Sequence, residues 1–375
     1  MKQVPGLKPE LDTRPSASLL QPLAAWFERA RRAMPWRAAD LDAPHPDPYG
    51  VLVSELMLQQ TQVATVIPYY QRWMQRFPDA ASLAGADDDE IHRHWQGLGY
   101  YRRAGHLRAA AAAITSAGWP ADLPGLLALP GLGPYTAAAL SAIAFQRPEA
   151  ALDGNAFRVL ARVLGLREDP RRHAPALRQW LRPALEAHGP SRITQAIMEL
   201  GATRCLPAPQ CQECPLQAGC QARALGLTAE IPPRPVRAAP KDVELFLVAL
   251  QADGRWLLHT PTKGGLLGGL WRWPTVEDVS QDLAAESRVP YGPLPCTTWP
   301  GWTQVYSHRR EHVLPVSLQL ARPVEAPQGL RWVTDQELAA LPLGRRDQRL
   351  RGLLGQPGSG SLLEPPIERL LTRIL

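Results

Sequence analysis

Residues 122–145 read DLPGLLALPGLGPYTAAALSAIAF, and this stretch decides the fold of the chain. A short helix ends at Leu129, a tight turn carries Pro130, Gly131 and Gly133, and a helix of small residues begins at Pro134. Helix, Gly-x-Gly turn, helix is the helix-hairpin-helix pattern. Its glycines let the backbone approach a partner closely, and the unpaired N–H groups that open the second helix point at an anion such as a DNA phosphate. Such a grip holds nucleic-acid backbone and carries no base sequence information. The competing reading is an ordinary corner between two helices.

Upstream, residues 51–60 read VLVSELMLQQ. Between Asp47 and Arg72 the one charged side chain is Glu55, set among Val51, Leu52, Val53, Leu56, Met57 and Leu58. An ionised carboxylate buried without a partner costs several kcal/mol, so it finds a cation or keeps a proton by raising its pKa above the ~4.3 of free Glu. A carboxyl protonated near neutral pH is a candidate general acid; the alternative is a Glu at the core edge with its tip in solvent. Downstream, ALDGNAFRVLARVLGL (151–166) places Asp153 before an amphipathic helix. A helix cap is the default role there. Two carboxylates in unlike environments can instead divide the work at an oxocarbenium-like centre, one protonating the leaving group and the other stabilising the sugar cation.

The flanking sequence is helical. Apolar residues recur at helical spacing over Leu19–Ala33, and MPWR ends that run. Pro44, Pro46 and Pro48 mark a loop, the helix of residues 51–60 is expected to break near Pro68, and Gly97 to Gly99 form a turn between two helical runs in 91–114. With 375 residues, 45% of them hydrophobic and 20% charged, the chain holds two ordinary domains with their own cores, which excludes a disordered chain. The net charge of +6 suits a polyanion partner, and the cations are nearly all Arg, with Lys at Lys2, Lys8, Lys241 and Lys263 alone. No apolar run is long enough to span a bilayer, and the Pro-rich start lacks a signal-peptide core. A cytoplasmic, monomeric protein with no membrane role is expected.

Residues 198–220 read MELGATRCLPAPQCQECPLQAGC, with the spacing Cys205-x5-Cys211-x2-Cys214-x5-Cys220. Four thiols this close form a metal-site pattern and not a spread disulfide framework. Zinc and a [4Fe–4S] cluster both fit four thiolates, and spacing alone leaves the choice open. Cys296 lies apart as a small apolar residue.

Taken in order, MPWR, SELMLQQTQVATVIPYY, WQGLGYYRRA, LPGLGPYTAAA, LDGN, MELGA and the four-cysteine loop resemble the adenine-specific, MutY-type branch of the endonuclease III superfamily of DNA glycosylases, over residues 19 to 222. The resemblance implies Glu55 as the acid that protonates adenine, Asp153 as the carboxylate that stabilises the sugar cation or its covalent successor, and Tyr135 as their helper. It places Trp36, Arg37 and Glu199 in an adenine pocket. Gln60 and Tyr100 correspond to side chains inserted beside the flipped base, with Thr61, Gly131, Gly133 and Asn155 as further DNA contacts. It gives Cys205, Cys211, Cys214 and Cys220 a [4Fe–4S] cluster. Two departures stand out: the first cysteine gap is one residue shorter than the family's, and residues 38–47 are a Pro-rich insertion after Arg37. Strand-cutting members use a Lys amine where this chain has Tyr135, which implies a hydrolytic, monofunctional enzyme leaving an abasic site. A DNA-binding redox protein without catalysis and an endonuclease III-like lyase are the rival readings; Glu55 opposes the first and the missing Lys the second.

Beyond the cysteines, LTAEIPPRPVRAAPKD (227–242) is a Pro-rich linker. VELFLVAL, RWLLHTP and HVLPVSLQL read as strands, GGLLGGLWRWP as a turn into a strand, DQELAALP as a helix, and PPIERLLTRIL as a docking amphipathic helix. This order resembles the Nudix-like C-terminal domain of the same family, but TVEDVSQDLAAESRV lacks the Glu/Arg cluster of a catalytic Nudix box. The module is therefore read as one that recognises and does not hydrolyse. By resemblance, Tyr306-Ser307-His308 replaces the family's Phe-Ser-His and faces 8-oxoguanine opposite the target adenine.

The expectation is thus a multi-domain chain. A leader (1–18) precedes an all-α helix-hairpin-helix glycosylase domain with an iron–sulfur loop at 205–220 (19–224), then a linker (225–242) and an α/β Nudix-like lesion-recognition domain (243–375). The expected partner is double-stranded DNA carrying adenine opposite 8-oxoguanine or guanine.

Overall fold

The computed structural model describes residues 14–233, 239–262, 267–277, 295–306, 308–358 and 367–375. In chain order its helices begin with α1 (Ser16–Ala30), α2 (Pro48–Leu58), α3 (Val63–Arg76), α4 (Ala80–Ala84), α5 (Asp88–Trp95) and α6 (Arg102–Ala117). They continue with α7 (Leu123–Ala128), α8 (Pro134–Phe145), α9 (Gly154–Leu164), α10 (Ala174–His188), α11 (Pro190–Thr203) and α12 (Gln221–Ala224). Strands then follow: β1 (Lys241–Ala252), β2 (Arg255–His259), β3 (Thr275–Glu277), β4 (Cys296–Thr298), β5 (Trp302–Val305), β6 (Arg309–Gln319) and β7 (Leu330–Thr334). Helices α13 (Asp335–Ala340), α14 (Arg345–Leu353) and α15 (Ile367–Ile374) complete the chain. It divides into two units, Met1–Gly85 with His106–Val236, and Ala86–Gly105 with Arg237–Leu375.

The first unit is helical. Asp47 caps α2 by accepting from Gly50 N at 2.9 Å, and Pro48 fits the first helical position because its missing N–H has no partner to lose. Every residue from Tyr49 to Met57 is buried, so α2 is a core helix on all sides. It packs on α8, whose residues Thr136 to Ala144 are also buried, and the Ala-rich sequence of α8 is what allows that close approach. A second core joins α1, α9, α10 and α11 through Leu20, Phe27, Leu160, Leu181 and Ile193.

One local expectation is corrected. Helix α3 does not break at Pro68: Val66, Tyr70 and Trp73 form a buried stripe at helical spacing, and their burial outweighs the one backbone bond that the proline removes. The break falls earlier, at Gln59–Gln62, where Gln60 has φ 57. The Pro-rich insertion is also fixed in place. Leu41 is buried, the Gln146 side chain donates to the carbonyls of Leu41 and Ala43, and Arg192 pairs with Asp42 at 2.7 Å.

The second unit is built on a sheet in the order β4-β6-β1-β2-β7, with β3 also paired to β1 and β5 to β6. Its long central pair, β1 and β6, is parallel, and the other described pairs are antiparallel. Alternation along β1 feeds two cores. Leu245, Leu247 and Ala249 face the one completed by Leu338, Leu343 and Leu350, whereas Val248, Leu250 and Ala252 face the one closed by Leu370, Leu371 and Ile374 of α15. The C-terminal amphipathic helix thus docks on a sheet face as its apolar spacing predicts. Among the described residues no helix is long and apolar enough to cross a membrane. The segment read as lacking a Nudix box lies outside the described residues after Glu277, as does part of the linker, at 234–238.

Candidate active site

Glu55 lies one turn before the end of α2 and is 5% exposed. Burial pushes its carboxyl pKa up to about 7; a hydrogen bond from Tyr135 works against that rise, and the charge of Asp153 adds to it. The Tyr135 hydroxyl donates to Glu55 Oε2 at 2.8 Å, and Met198 Sδ lies 3.9 Å from the same hydroxyl. Tyr135 reaches this position from the first turn of α8, directly after the hairpin glycines. Its own pKa is driven well above the usual value by burial and by the two carboxylates. Asp153 caps α9: Oδ1 accepts from Ala156 N at 2.6 Å, and Oδ2 from Asn155 Nδ2 at 3.1 Å. The expected cap is thus in place, and its carboxylate is near enough to Glu55 for its charge to raise that group's pKa.

Trp36 is buried and packs edge-on against Tyr70 with ring centroids 5.2 Å apart. Glu199, on α11 and 2% exposed, meets two guanidiniums. Arg37 Nη2 lies 3.2 Å from Oε2, while Arg32 binds through Nε at 2.5 Å and Nη2 at 3.2 Å. Burial alone would raise the Glu199 pKa, and the two arginines hold it below its ordinary value. Arg37 also donates to Gln195 Oε1 at 2.8 Å. The insertion after Arg37 leaves this ion pair in place. Arg32 and Gln195 were missed from the sequence: Arg32 lies in the helical run over Leu19–Ala33, and only the return of α11 shows what it faces. The signal available was Gln195 one helical turn before Glu199 on the same helix.

The exposed Gln60 follows α2, and Thr61 Oγ1 donates to Gln59 O at 3.3 Å. In the hairpin, Gly131 has φ 77 and a Cβ there would fall 2.2 Å from the Cβ of His106; Gly133 begins α8 with no side-chain cap. The N–H groups opening α8 thus have no side-chain cap.

Cys205, Cys211, Cys214 and Cys220 line one cavity, with Arg162 and Arg204 beside them. Burial pushes the Cys214 thiol up to about 11 and raises Cys220 too, each further raised by neighbouring cysteines. Arg162, 3% exposed, straps the loop: it donates to the carbonyls of Leu206 and Pro207 and to Ile231 O, and Nη1 lies 3.4 Å from Cys205 Sγ. Among the described residues the four thiols share this cavity but do not converge as a group of three or more that could hold a single metal ion.

In the second unit, Tyr100 is 44% exposed with φ 47. Tyr306 and His308 belong to the turn joining β5 to β6, closed by Tyr306 N donating to Arg309 O at 2.7 Å; Ser307 lies outside the described residues. Burial pushes the Tyr306 hydroxyl up to about 12, against the lowering effect of Arg346.

A helix-hairpin-helix turn beside a buried, protonatable acid and a second carboxylate is the kind of site that base excision on DNA would need, and comparison with known proteins gives the class. Residues 53–183 match the model of the HhH-GPD superfamily of base excision DNA repair proteins, and residues 245–351 match a NUDIX domain. The adenine DNA glycosylase of Mus musculus is 32% identical over 383 residues, covering 84% of this chain and 73% of that protein. That of Homo sapiens is 32% identical over 387 residues, covering 84% and 70%. The adenine DNA glycosylase of Mycolicibacterium smegmatis is 38% identical over 215 residues, covering 55% and 70%. The chain belongs to the adenine DNA glycosylase family, with a helical glycosylase fold and a C-terminal Nudix-like fold.

Proposed function

We propose that this glycosylase removes adenine paired with 8-oxoguanine or guanine by hydrolysing the N-glycosidic bond, leaving an abasic site. The observation that carries this reading is Glu55, buried, protonatable near neutral pH and hydrogen-bonded to Tyr135. Adenine leaves poorly unless protonated, so its excision needs an acid beside the base and negative charge beside the sugar. Tyr135 occupies Oε2 of Glu55, so the acidic proton belongs on Oε1, from which it passes to the base. Asp153, held by Ala156 N and Asn155, supplies the negative charge that stabilises the developing sugar cation. Trp36, Arg37 and Glu199, joined by Arg32, form the adenine pocket. Gln60 and Tyr100 fill the gap left by the extruded base, at a cost of a few kcal/mol for unstacking. The Tyr306–His308 turn reads 8-oxoguanine. No lysine occurs between Lys8 and Lys241, which supports hydrolysis without a Schiff base.

The cysteine cavity suits a [4Fe–4S] cluster. Among the described residues its lining contains no histidine or carboxylate, and Arg162 and Arg204 offset the negative charge of a four-thiolate cluster. Such a cluster would supply rigidity to the 205–220 loop. The enzyme is further read as a cytoplasmic monomer, with its glycosylase domain at 19–224 and its lesion-recognition domain at 243–375 joined by residues 225–242.

The test is a duplex with one adenine opposite 8-oxoguanine, incubated with the wild type or Glu55→Gln and analysed with and without alkali. Strand breaks only after alkali, absent with the variant, are expected. Full activity of the variant would sink the mechanism, and breaks without alkali would sink the monofunctional reading.

A further inference from the structure

Three of the four residues from Gly97 to Tyr100 have left-handed backbones: Gly97 (φ 102), Gly99 (φ 73) and Tyr100 (φ 47). For glycine this geometry is free, but for Tyr100 it costs about 1–2 kcal/mol, so neighbouring groups must hold it. The run of positive φ directs successive carbonyls to one side. There Arg103, 6% exposed on the first turn of α6, meets them. Its Nη2 donates to Gly99 O at 3.0 Å and Leu98 O at 3.3 Å, and its Nε to Tyr100 O at 3.3 Å. The guanidinium carbon also lies 5.5 Å from the centroid of the Tyr100 ring and 5.3 Å from that of Trp95. Trp95 Nε1 adds a second donor to Gly99 O at 3.1 Å, and Tyr101 accepts from Gly97 N through its hydroxyl at 3.3 Å.

We propose that Arg103 is the positioning residue for Tyr100: its planar fork fixes three consecutive carbonyls, and its cationic face orients the ring for insertion into the duplex. This rests on the reading of Tyr100 as an inserted side chain. A lysine cannot replace the fork, because an ammonium is a point donor that cannot span three carbonyls and stack on a ring together. On this proposal the effect of Arg103 on excision runs through the Tyr100 turn that it holds.

The test is a double-mutant cycle in the full chain, measuring single-turnover excision of adenine opposite 8-oxoguanine. Tyr100→Ala and Arg103→Lys are each expected to slow excision at least tenfold, and the double variant to stay within twofold of Tyr100→Ala. A further tenfold loss in the double variant overturns the proposal, since Arg103 would then act elsewhere. Full rate in Tyr100→Ala instead overturns the insertion reading on which it rests. A duplex with 2-aminopurine in place of adenine should lose its binding-induced fluorescence rise with Arg103→Lys; an undiminished rise counts against the proposal. Arg103→Gln removes the charge, and the salt dependence of duplex binding should still not move, whereas a slope smaller by about one would identify a phosphate contact and overturn it. If Arg103→Lys fails to fold, Gly99→Ala serves in the same cycle: a Cβ there meets nothing within 4 Å, and its effect is confined to the backbone of the turn.

Discussion

Glu55 keeps its proton because burial disfavours the carboxylate, and Tyr135 moderates that effect by hydrogen-bonding the ionised form. On the proposed mechanism the acid acts when protonated, so the single-turnover rate should fall above about pH 7. Tyr135→Phe removes a group that lowers the pKa, so the alkaline limb of the rate profile should move to higher pH; a shift to lower pH would contradict the geometry. The same carboxyl affects folding. Its folded pKa exceeds its unfolded value, so its stabilising contribution is complete below about pH 4.5 and is lost as pH rises through about 7. Glu55→Gln should therefore raise stability at pH 8 by up to about 3 kcal/mol and give no such gain at pH 4.5, as thermal melts at the two pH values would show. Glu55 was legible in the sequence because a lone charge in an apolar run is conspicuous. Asp153 was legible as a cap, but its nearness to Glu55 was not, since nothing local shows what a side chain a hundred positions away will face. Arg32 was hidden for the same reason: its partner Glu199 arrives only with α11.

The hairpin glycines differ in what they do for their element. Gly131 has a left-handed backbone, and an added Cβ would strike His106 at its Cβ, which cannot swing away; Gly133 has φ −85 and no atom within 4 Å of an added Cβ. Gly131→Ala should weaken duplex binding at least tenfold whatever the base sequence, whereas Gly133→Ala should be tolerated, and titration of any fluorescent duplex distinguishes them. This pattern was readable because Pro and Gly punctuate so strongly around Leu132. Pro68 misled for the complementary reason. A proline lowers local helix propensity, but Val66, Tyr70 and Trp73 bury their stripe regardless, and tertiary packing decides.

Taken whole, the molecule holds buried charge in each of its two units. The C-terminal unit holds Arg346 between Glu311 and Asp347, at 3.1 and 3.5 Å, with Arg309 on the far oxygen of Glu311 at 2.9 Å. Asp347 also accepts from Trp273 N at 2.8 Å. Glu311→Ala would leave Arg346 buried with one partner fewer, so it should destabilise this unit by about 3–5 kcal/mol in denaturant titration. A loss under 1 kcal/mol would mean that solvent reaches the cluster. This network was not visible in the sequence, since nothing local to Arg346 shows that Glu311 will face it, although the strand pattern that builds the sheet around it was. In the first unit, the single guanidinium of Arg162 holds the cysteine loop at Leu206 and Pro207 and the outgoing chain at Ile231. One side chain therefore ties the state of the loop to the point where the polypeptide leaves the helices. If the loop holds the proposed iron–sulfur cluster, drawing the iron out should slacken it and make the backbone near Ile231 a cleavage point, so that a trace of protease severs the stripped protein there and leaves the loaded one whole.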